Sequence, residues 1–186
     1  MKTVALYGGS FDPPHLGHEA VVKALEELDF IEDFIDKIII VPTFLNPFKE
    51  GFIAPAQLRL QWLQEIFAKH KKVSVSDFEV TKKRKVPAIE TVEALREDYE
   101  KIYFVIGADN LASLKKWYRY EELQKLVTFI VATREGVTVP SDYIKLDVNV
   151  NISSSALRKE MDRTKLPQCC AEQIMKYYKE HNAKQN

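Results

Sequence analysis

Short runs of β-branched and apolar residues alternate along the chain with longer stretches in which apolar residues recur at helical spacing. Strands are predicted at six such runs, which are Thr3–Tyr7, Lys37–Val41, Val73–Ser76, Ile102–Ile106, Thr128–Ala132 and Tyr143–Val148. Helices are predicted over about His18–Leu28, from Pro55 onward, over about Ile89–Tyr99, after Ser153–Ser155 and after Pro167. This alternation is typical of an α/β, Rossmann-like, doubly wound fold, in which a mostly parallel sheet carries helices on both faces. We expect a single domain over 1–186, with a small C-terminal helical portion over about 153–182.

Two segments rich in turn-forming residues, Pro42–Ala54 and Thr81–Pro87, are predicted to be loops. The second contains the basic run Lys82–Lys85, and a run of this kind is usually a solvated loop. The alternative is that its charges help to attract polyanionic substrates.

Composition narrows the class of protein. Of the 186 residues, 46% are apolar, which is enough for a sizeable core. The 27 Lys and Arg balance the 27 Asp and Glu, which disfavours a duplex nucleic-acid binder or a membrane-surface protein, because both usually carry a basic excess. No apolar run approaches the roughly 20 residues of a membrane span, and no signal peptide is evident. The adjacent Cys169 and Cys170 form neither a disulfide framework nor a zinc site, so we expect a cytoplasmic protein with buried thiols. The sequence does not decide between a monomer and a homo-oligomer.

The most informative stretch is Gly8–His18, which leaves the first predicted strand and enters the first predicted helix. An open α/β sheet places an anionic ligand at such a point, facing the free N–H groups of the helix. Gly8 and Gly9 allow the backbone to approach a phosphate closely. His15 and His18 are three residues apart, so both can face that phosphate from the first helical turn. The alternatives are a metal site, which needs a third ligand, and two histidines that only cap the helix.

A second anion site is predicted at Asn151–Arg158, where three serines and free N–H groups precede a helix. The planar guanidinium of Arg158 can reach a phosphate from the first turn, although a serine N-cap on an ordinary helix is the alternative. Between the two anion sites, Asp109 follows a predicted central strand, where a carboxylate can accept hydrogen bonds from ribose hydroxyls. Trp117 could stack on a heteroaromatic ring or belong to the core.

The order Gly-x-Phe-x-Pro-x-His-x-Gly-His, which ends at His18, resembles the signature of the HxGH nucleotidyltransferase superfamily. The chain from Val4 to about Arg158 resembles one branch, the bacterial nicotinate-nucleotide adenylyltransferases, through its Ile-Gly-x-Asp…Trp block and its Ile-Ser-Ser-Ser-x-Leu-Arg run. The resemblance implies that ATP is bound by Gly8, Gly9, Ser10, Phe11, His15, His18, Gly107, Asp109, Arg134, Ser154, Ser155 and Arg158.

The same resemblance implies an acceptor site formed by Asp12, Lys49, Thr91, Trp117 and Tyr118. Trp117 is expected to stack on a pyridine ring, and main-chain groups near Tyr118 are expected to bind its carboxylate. The chain departs from the family pattern at Phe48, where the family has His, and at Glu90, where it has Tyr. A negative charge at Glu90 is unexpected beside an anionic acceptor.

The activity implied is transfer of the adenylyl group of ATP to nicotinate mononucleotide, which forms deamido-NAD and pyrophosphate in NAD biosynthesis. The residues expected to act in catalysis are His15, His18, Lys49 and Arg158. Mg²⁺ is expected to bind mainly through the ATP phosphates. The alternatives are an adenylyltransferase for nicotinamide mononucleotide or another phosphate acceptor, and a non-catalytic nucleotide-binding module.

The zero net charge is compatible with this local concentration of cationic and protonatable groups. Five acidic residues are expected away from the cleft, on the outer part of the first helix and its loop: Glu26, Glu27, Glu32, Asp33 and Asp36.

Overall fold

The computed structural model of the chain describes residues 2–28 and 34–182. Its strands are β1 (Thr3–Gly9), β2 (Lys37–Pro42), β3 (Val73–Val75), β4 (Lys101–Gly107), β5 (Thr128–Ala132) and β6 (Ile144–Leu146). Its helices are α1 (Leu16–Glu26), α2 (Ala56–Phe67), α3 (Phe78–Lys82), α4 (Ala88–Leu95), α5 (Tyr120–Leu126), α6 (Ser154–Lys159) and α7 (Ala171–Asn182). Three short 3₁₀ turns are also described, at Ala108–Asn110, Leu114–Lys116 and Arg163–Lys165.

The six described strands form one parallel sheet in the order β3-β2-β1-β4-β5-β6. The chain moves outward from β1 to β3, then returns to the other side of β1 and moves outward again from β4 to β6. The strand order therefore reverses between β1 and β4. In such a doubly wound sheet the ligand lies beyond the carboxyl ends of the strands at this switch point, which here are Gly9 and Gly107.

Apolar side chains of the sheet are buried on both of its faces. In β1, Ala5 and Tyr7 pack on the face covered by α1, α2 and α7, whereas Val4 and Leu6 pack on the face covered by α4 and α5. Burial on both faces explains why the strands are continuous apolar runs in the sequence. The predicted Rossmann-like α/β fold, with a parallel sheet between helices, is confirmed.

Several elements differ from the predictions in their bounds or were not predicted. Helix α1 begins at Leu16, two residues before the predicted start, because His15 caps it. Helices α3 and α5 were not predicted, because helices of five and seven residues are too short to show a clear helical period. The helix predicted over Ile89–Tyr99 ends at Leu95.

Two of the acidic residues expected on the outer part of the first helix and its loop make specific contacts. Glu26 lies 3.0 Å from His70, and the Asp36 carboxylate accepts a main-chain N–H of β1 at 2.7 Å. Glu32 and Asp33 lie outside the described residues.

Within the described ranges, no helix combines the length and apolar character that crossing a membrane requires.

Candidate active site

A cavity of about 450 Å³ opens at the carboxyl ends of β1, β2 and β4. It joins the loop after β1, the loop after β2, the start of α4, the turn after β4 and segment 150–155. The predicted site residues that line it are Gly8, Gly9, Ser10, Phe11, His15, His18, Lys49, Thr91, Gly107, Asp109, Trp117, Tyr118, Arg134, Ser154 and Ser155. Asp12 and Arg158 lie behind this lining.

His15 and His18 both cap helix α1 and line the cavity. His15 Nδ1 accepts a hydrogen bond from the Gly17 main-chain N–H at 3.0 Å, and His18 Nδ1 accepts one from the His15 N–H at 3.1 Å. The two rings stack, with centroids 3.7 Å apart. Because Nδ1 is the acceptor in each neutral ring, the proton lies on Nε2, which is left to donate to a ligand. Capping of the helix and binding of a phosphate are therefore compatible roles.

Both imidazoles are neutral at physiological pH. Burial, aided by the charge of Arg134, lowers the pKa of His15 to about 4. Burial and the neighbouring His15 hold the pKa of His18 well below its ordinary value. The rings therefore offer hydrogen-bond donors, and the positive charge of the cavity comes from other side chains.

Lys49 and Arg134 bring positive charge to the cavity wall. Lys49 Nζ lies 3.5 Å from Ser10 Oγ, and burial, followed by the charge of Arg158, lowers the pKa of the lysine. Arg134 Nη1 lies 3.7 Å from Asp109 Oδ2 in a partly exposed ion pair. Both cations therefore lie beside predicted ATP ligands.

The second anion segment is tied to the first by hydrogen bonds. Ser154 Oγ donates to the Pro13 carbonyl at 2.9 Å. Arg158 donates from Nη1 to the Asp12 carbonyl at 2.6 Å and from Nη2 to Ser155 Oγ at 3.1 Å. The guanidinium thus braces the loop after β1, and it is not among the residues that line the cavity.

Asp12, which is expected to bind the acceptor, has a carboxylate that is held by donors of the protein itself. Its carboxylate accepts from the main-chain N–H groups of Ile53 and Ala54, at 2.9 and 3.0 Å, and from the Tyr178 hydroxyl. The residue is 4% exposed, and it is not among the residues that line the cavity. Its contacts give it a bracing role, and its expected part in binding the acceptor stays a prediction.

The predicted acceptor pocket lies beside Trp117 and the start of α4. The Trp117 ring packs edge-on against Phe104, with centroids 5.8 Å apart, and also lines the cavity, so the core and ligand interpretations both fit. Pro87 and Ala88 line the same wall, and Pro87 provides no side-chain cap for α4. The first N–H groups of that helix are therefore available to an anion. Tyr118, 66% exposed, stands at the rim.

Glu90 does not present an unbalanced charge to the acceptor. Its two carboxylate oxygens accept from the two terminal nitrogens of Arg84, at 2.5 and 3.1 Å. The arginine belongs to the basic run Lys82–Lys85, so at least part of that run has a local partner. The unexpected negative charge is offset by this pair, which lies outside the cavity lining.

The sequence and fold have close counterparts among known proteins. Residues 6–160 match the family model described as cytidylyltransferase-like. The chain is 55% identical over 184 residues to a Sulfurimonas denitrificans protein named "Probable nicotinate-nucleotide adenylyltransferase", an alignment that covers 99% of each chain. It is 44% identical to a Campylobacter fetus protein of the same name, over 97% of this chain and 99% of that one.

The chain belongs to the nicotinate-nucleotide adenylyltransferases. The family resemblance inferred from the motifs is thus confirmed. A solved structure supports the fold: the Plasmodium falciparum nicotinic acid mononucleotide adenylyltransferase complexed with NaAD, with a TM-score of 0.74 at 22% identity, over 96% of this chain and 98% of that one.

Sequence patterns missed Arg59, a buried cation beside the site of this adenylyltransferase. It is 1% exposed on α2 and donates to four carbonyls, those of Ser10, Thr43, Phe44 and Ala54, at 2.6 to 3.0 Å. These bonds join the loop after β1 to the loop after β2. The signal in the sequence that could have identified Arg59 was an arginine within the apolar pattern of α2.

Glu79 was also missed, although it lines the cavity beside the predicted acceptor residue Thr91. It is 6% exposed and accepts a hydrogen bond from Thr91 Oγ1 at 2.7 Å. Burial is the main cause that raises the pKa of this carboxyl to about 7; the Thr91 bond opposes the shift and the charge of Glu90 adds to it. Because α3 is one short turn, no periodicity marks Glu79 as buried.

We predict that His15 and His18 stay neutral, with the proton on Nε2, between pH 6 and 8 in the free enzyme. Their low pKa values and their Nδ1 acceptor bonds are the reasons. Imidazole ¹⁵N chemical shifts across a pH titration measure both properties. The denatured chain, in which histidines titrate near pH 6.5, provides the reference. Protonation of either ring above pH 6 would contradict the assignment.

We predict that Glu79→Gln makes the stability less dependent on pH. Between pH 4.5 and about 7 the folded protein keeps a proton on Glu79 that the unfolded chain releases, so the free energy of unfolding falls as pH rises. Glu79 accounts for a loss of up to about 3 kcal/mol across that window. Urea unfolding at pH 5 and pH 8 measures the difference, with Glu97→Gln at an exposed position as the control. Equal pH dependence in the two variants would refute the prediction.

Proposed function

We propose that the chain transfers the adenylyl group of ATP to nicotinate mononucleotide, which forms deamido-NAD and pyrophosphate in NAD biosynthesis. The observation that carries this proposal is one cavity with two different ends. At one end are the paired histidine donors at the start of α1, and at the other are Trp117 and the uncapped start of α4. The first suits a triphosphate and the second suits an anionic aromatic ring.

ATP occupies the first end of the cavity. The residues proposed to contact it are Gly8, Gly9, Ser10, Phe11, His15, His18, Gly107, Asp109, Arg134, Ser154, Ser155 and Arg158. Glycines at the ends of β1 and β4 leave room for the nucleotide, and the Nε2–H groups of the histidines donate to phosphate oxygens.

The mononucleotide occupies the second end. Its pyridine ring stacks on Trp117, and its carboxylate accepts from main-chain N–H groups at the start of α4 and near Tyr118, where the helix dipole favours negative charge. Lys49 contacts the phosphates, and Thr91 completes the wall while its hydroxyl is bound to Glu79. Asp12 supports the loop from behind.

The reaction is an in-line displacement. A phosphate oxygen of the mononucleotide forms a bond to the α-phosphorus of ATP, and the bond from that phosphorus to the oxygen bridging to the β-phosphate breaks. Pyrophosphate leaves with the electron pair. The attacking phosphate is already an anion, so no general base is required. The protein aligns the reactants and stabilises charge through His15, His18, Lys49 and Arg134, with Arg158 turning toward the phosphates as they bind.

We propose that Mg²⁺ would be held mainly through the ATP phosphates, where it would offset negative charge on the triphosphate. Among residues 2–28 and 34–182, no three His, Cys, Asp or Glu side chains lie close enough together to hold a metal. The side chains next to the phosphates are instead hydrogen-bond donors.

We predict that His18→Asn lowers kcat by about 10²- to 10³-fold, the usual effect of removing one donor aimed at developing charge. Asparagine Oδ1 can still accept the His15 N–H, so helix capping is largely kept while the Nε2–H donor is lost. Pyrophosphate release measures turnover, and ATP titration measures binding. His18→Ala, which also loses the cap, serves for comparison and should show a lower melting temperature.

Normal ATP affinity and an undiminished rate in His18→Asn would remove the histidine from the mechanism. ATP binding by the wild-type protein without pyrophosphate release would favour the alternative of a non-catalytic nucleotide-binding module.

We predict that the enzyme prefers the acid mononucleotide to the amide and that Ala88→Pro weakens this preference by at least about 10-fold. Ala88 is the first residue of α4, where proline preserves a helix but removes the main-chain N–H. A lost hydrogen bond to a charged group is worth roughly 1.5–3 kcal/mol. Competition between the two mononucleotides in the presence of ATP measures the ratio of kcat/KM values.

Ala88→Ser, which keeps the N–H, is the matched control and should retain the preference. Faster turnover of the amide by the wild-type enzyme would overturn the acceptor assignment.

A further inference from the structure

Helix α7 lies outside every predicted site motif and packs as part of the core. Ile174 and Tyr178 are fully buried on the face shared with α2. The Tyr178 ring lies 6.0 Å from the ring of Trp62, and the Tyr177 ring lies 5.9 Å from it. Apolar packing alone would explain a helix in this position.

Three polar side chains of α7 nevertheless reach the loops of the ATP site. The Tyr178 hydroxyl donates to Asp12 Oδ1 in a buried hydrogen bond. Asn182 Nδ2 donates to the Arg158 carbonyl at 2.7 Å. Tyr177 makes only a long contact, 3.4 Å from its hydroxyl to the Ile53 carbonyl.

The first two bonds form part of a closed chain of contacts. Asp12 is bound by Tyr178 through its side chain and by Arg158 through its carbonyl, while the carbonyl of Arg158 is bound by Asn182. Because Tyr178 and Asn182 are four residues apart on α7, they lie on one side of the helix. The helix thus spans both halves of the phosphate site, namely the loop after β1 and helix α6.

The Tyr178 hydroxyl is the hydrogen-bond donor in its contact with Asp12. Burial, followed by the charge of Asp12, raises the pKa of this phenol, so it keeps its proton at physiological pH. The same carboxylate accepts from Ile53 and Ala54, which lie in the loop that carries Lys49. The Tyr178 hydroxyl of α7 therefore binds the carboxylate that joins two loops of the ATP site.

We propose that Tyr178 and Asn182 are positioning residues for adenylyl transfer, which fix the loop before His15 and helix α6 relative to each other. This inference rests on the proposed function. Asp12 is three residues before His15, so a loosened Asp12 moves the histidine donors relative to the phosphates. Displacements on the order of 1 Å at a reacting site can cost about 10²-fold in rate.

The neighbouring tyrosines offer a matched experiment. Tyr178→Phe and Tyr177→Phe remove the same atom from adjacent residues of one helix, but only the first hydroxyl binds Asp12. We expect Tyr178→Phe to lower kcat by about 10-fold, with the KM for the mononucleotide within about twofold of wild type, and Tyr177→Phe to stay within about twofold in both. Rates are measured well below the melting temperature of each variant.

A fall in melting temperature does not decide the matter, because a lost buried hydrogen bond destabilises the protein under either interpretation. A kcat for Tyr178→Phe within twofold of Tyr177→Phe would overturn the proposal and leave the hydroxyl a purely structural role. If the effect passes through the carboxylate, adding Tyr178→Phe to Asp12→Asn lowers kcat by much less than 10-fold, whereas full additivity would contradict that route.

Asn182→Ala tests the second bond at a partly exposed position and does not depend on folding of the core variant. We expect a fall in kcat of about threefold or more. Lys179→Ala, at an exposed position on the same helix, is the unchanged control, and equal rates in the two variants would contradict the role of Asn182.

Turnover of the wild-type protein tests the proposed function separately. If wild type releases no pyrophosphate, the dissociation constant of ATP becomes the readout, and unchanged affinity in both Tyr178→Phe and Asn182→Ala overturns the inference.

Discussion

The stacked histidine pair at the start of α1 is the interaction on which the site depends. Each ring accepts a backbone N–H through Nδ1, so capping of the helix fixes both the orientation and the tautomer of the two imidazoles. A Cβ at Gly17 would lie 2.8 Å from His15 Cε1, which explains why glycine stands between them. Burial keeps both rings uncharged. The result is a pair of oriented donors that need no rearrangement when charge develops on a phosphate.

Such donors keep their positions only if the surrounding loops are rigid. Two buried polar residues, Arg59 and Asp12, restrain these loops. Arg59 joins carbonyls of the loops after β1 and β2, and Asp12 joins N–H groups of the second loop to a hydroxyl of α7. Burying either group would be costly without these partners, since an unpaired charge or polar atom loses its hydration. The hydrogen bonds satisfy each group and rigidify irregular backbone. The proposed ATP site is thus held in place by residues that do not line the cavity.

At the wall of the cavity where we propose that the acceptor binds, the negative groups are paired or buried. Glu90 is neutralised by Arg84, and Glu79 is shielded by burial and by its bond to Thr91. Burial makes the protonated form of Glu79 accessible near neutral pH. The uncapped start of α4 then supplies the favourable potential on that side of the cavity. Net charge therefore says little about the site, because pairing and burial decide which charges a ligand meets.

The sequence by itself determined the parallel α/β sheet, and most of the site residues that it predicted line one cavity. Apolar runs identify the strands, and the motifs after β1 and β4 lie at strand carboxyl ends, which meet at one edge of a parallel sheet. The serines of segment 150–155 and its family pattern also indicated that this segment belongs to the site. Sequence could not assign Glu79, Arg59 or Tyr178, which have hydrogen-bond partners as far as 12, 49 and 166 residues away along the chain. The direction of the Asp12 side chain could not be assigned either, because it depends on which neighbours bind the carboxylate. Periodicity and motifs are local properties of the chain, whereas burial and pairing arise only when distant segments pack together, and only the tertiary structure could decide them.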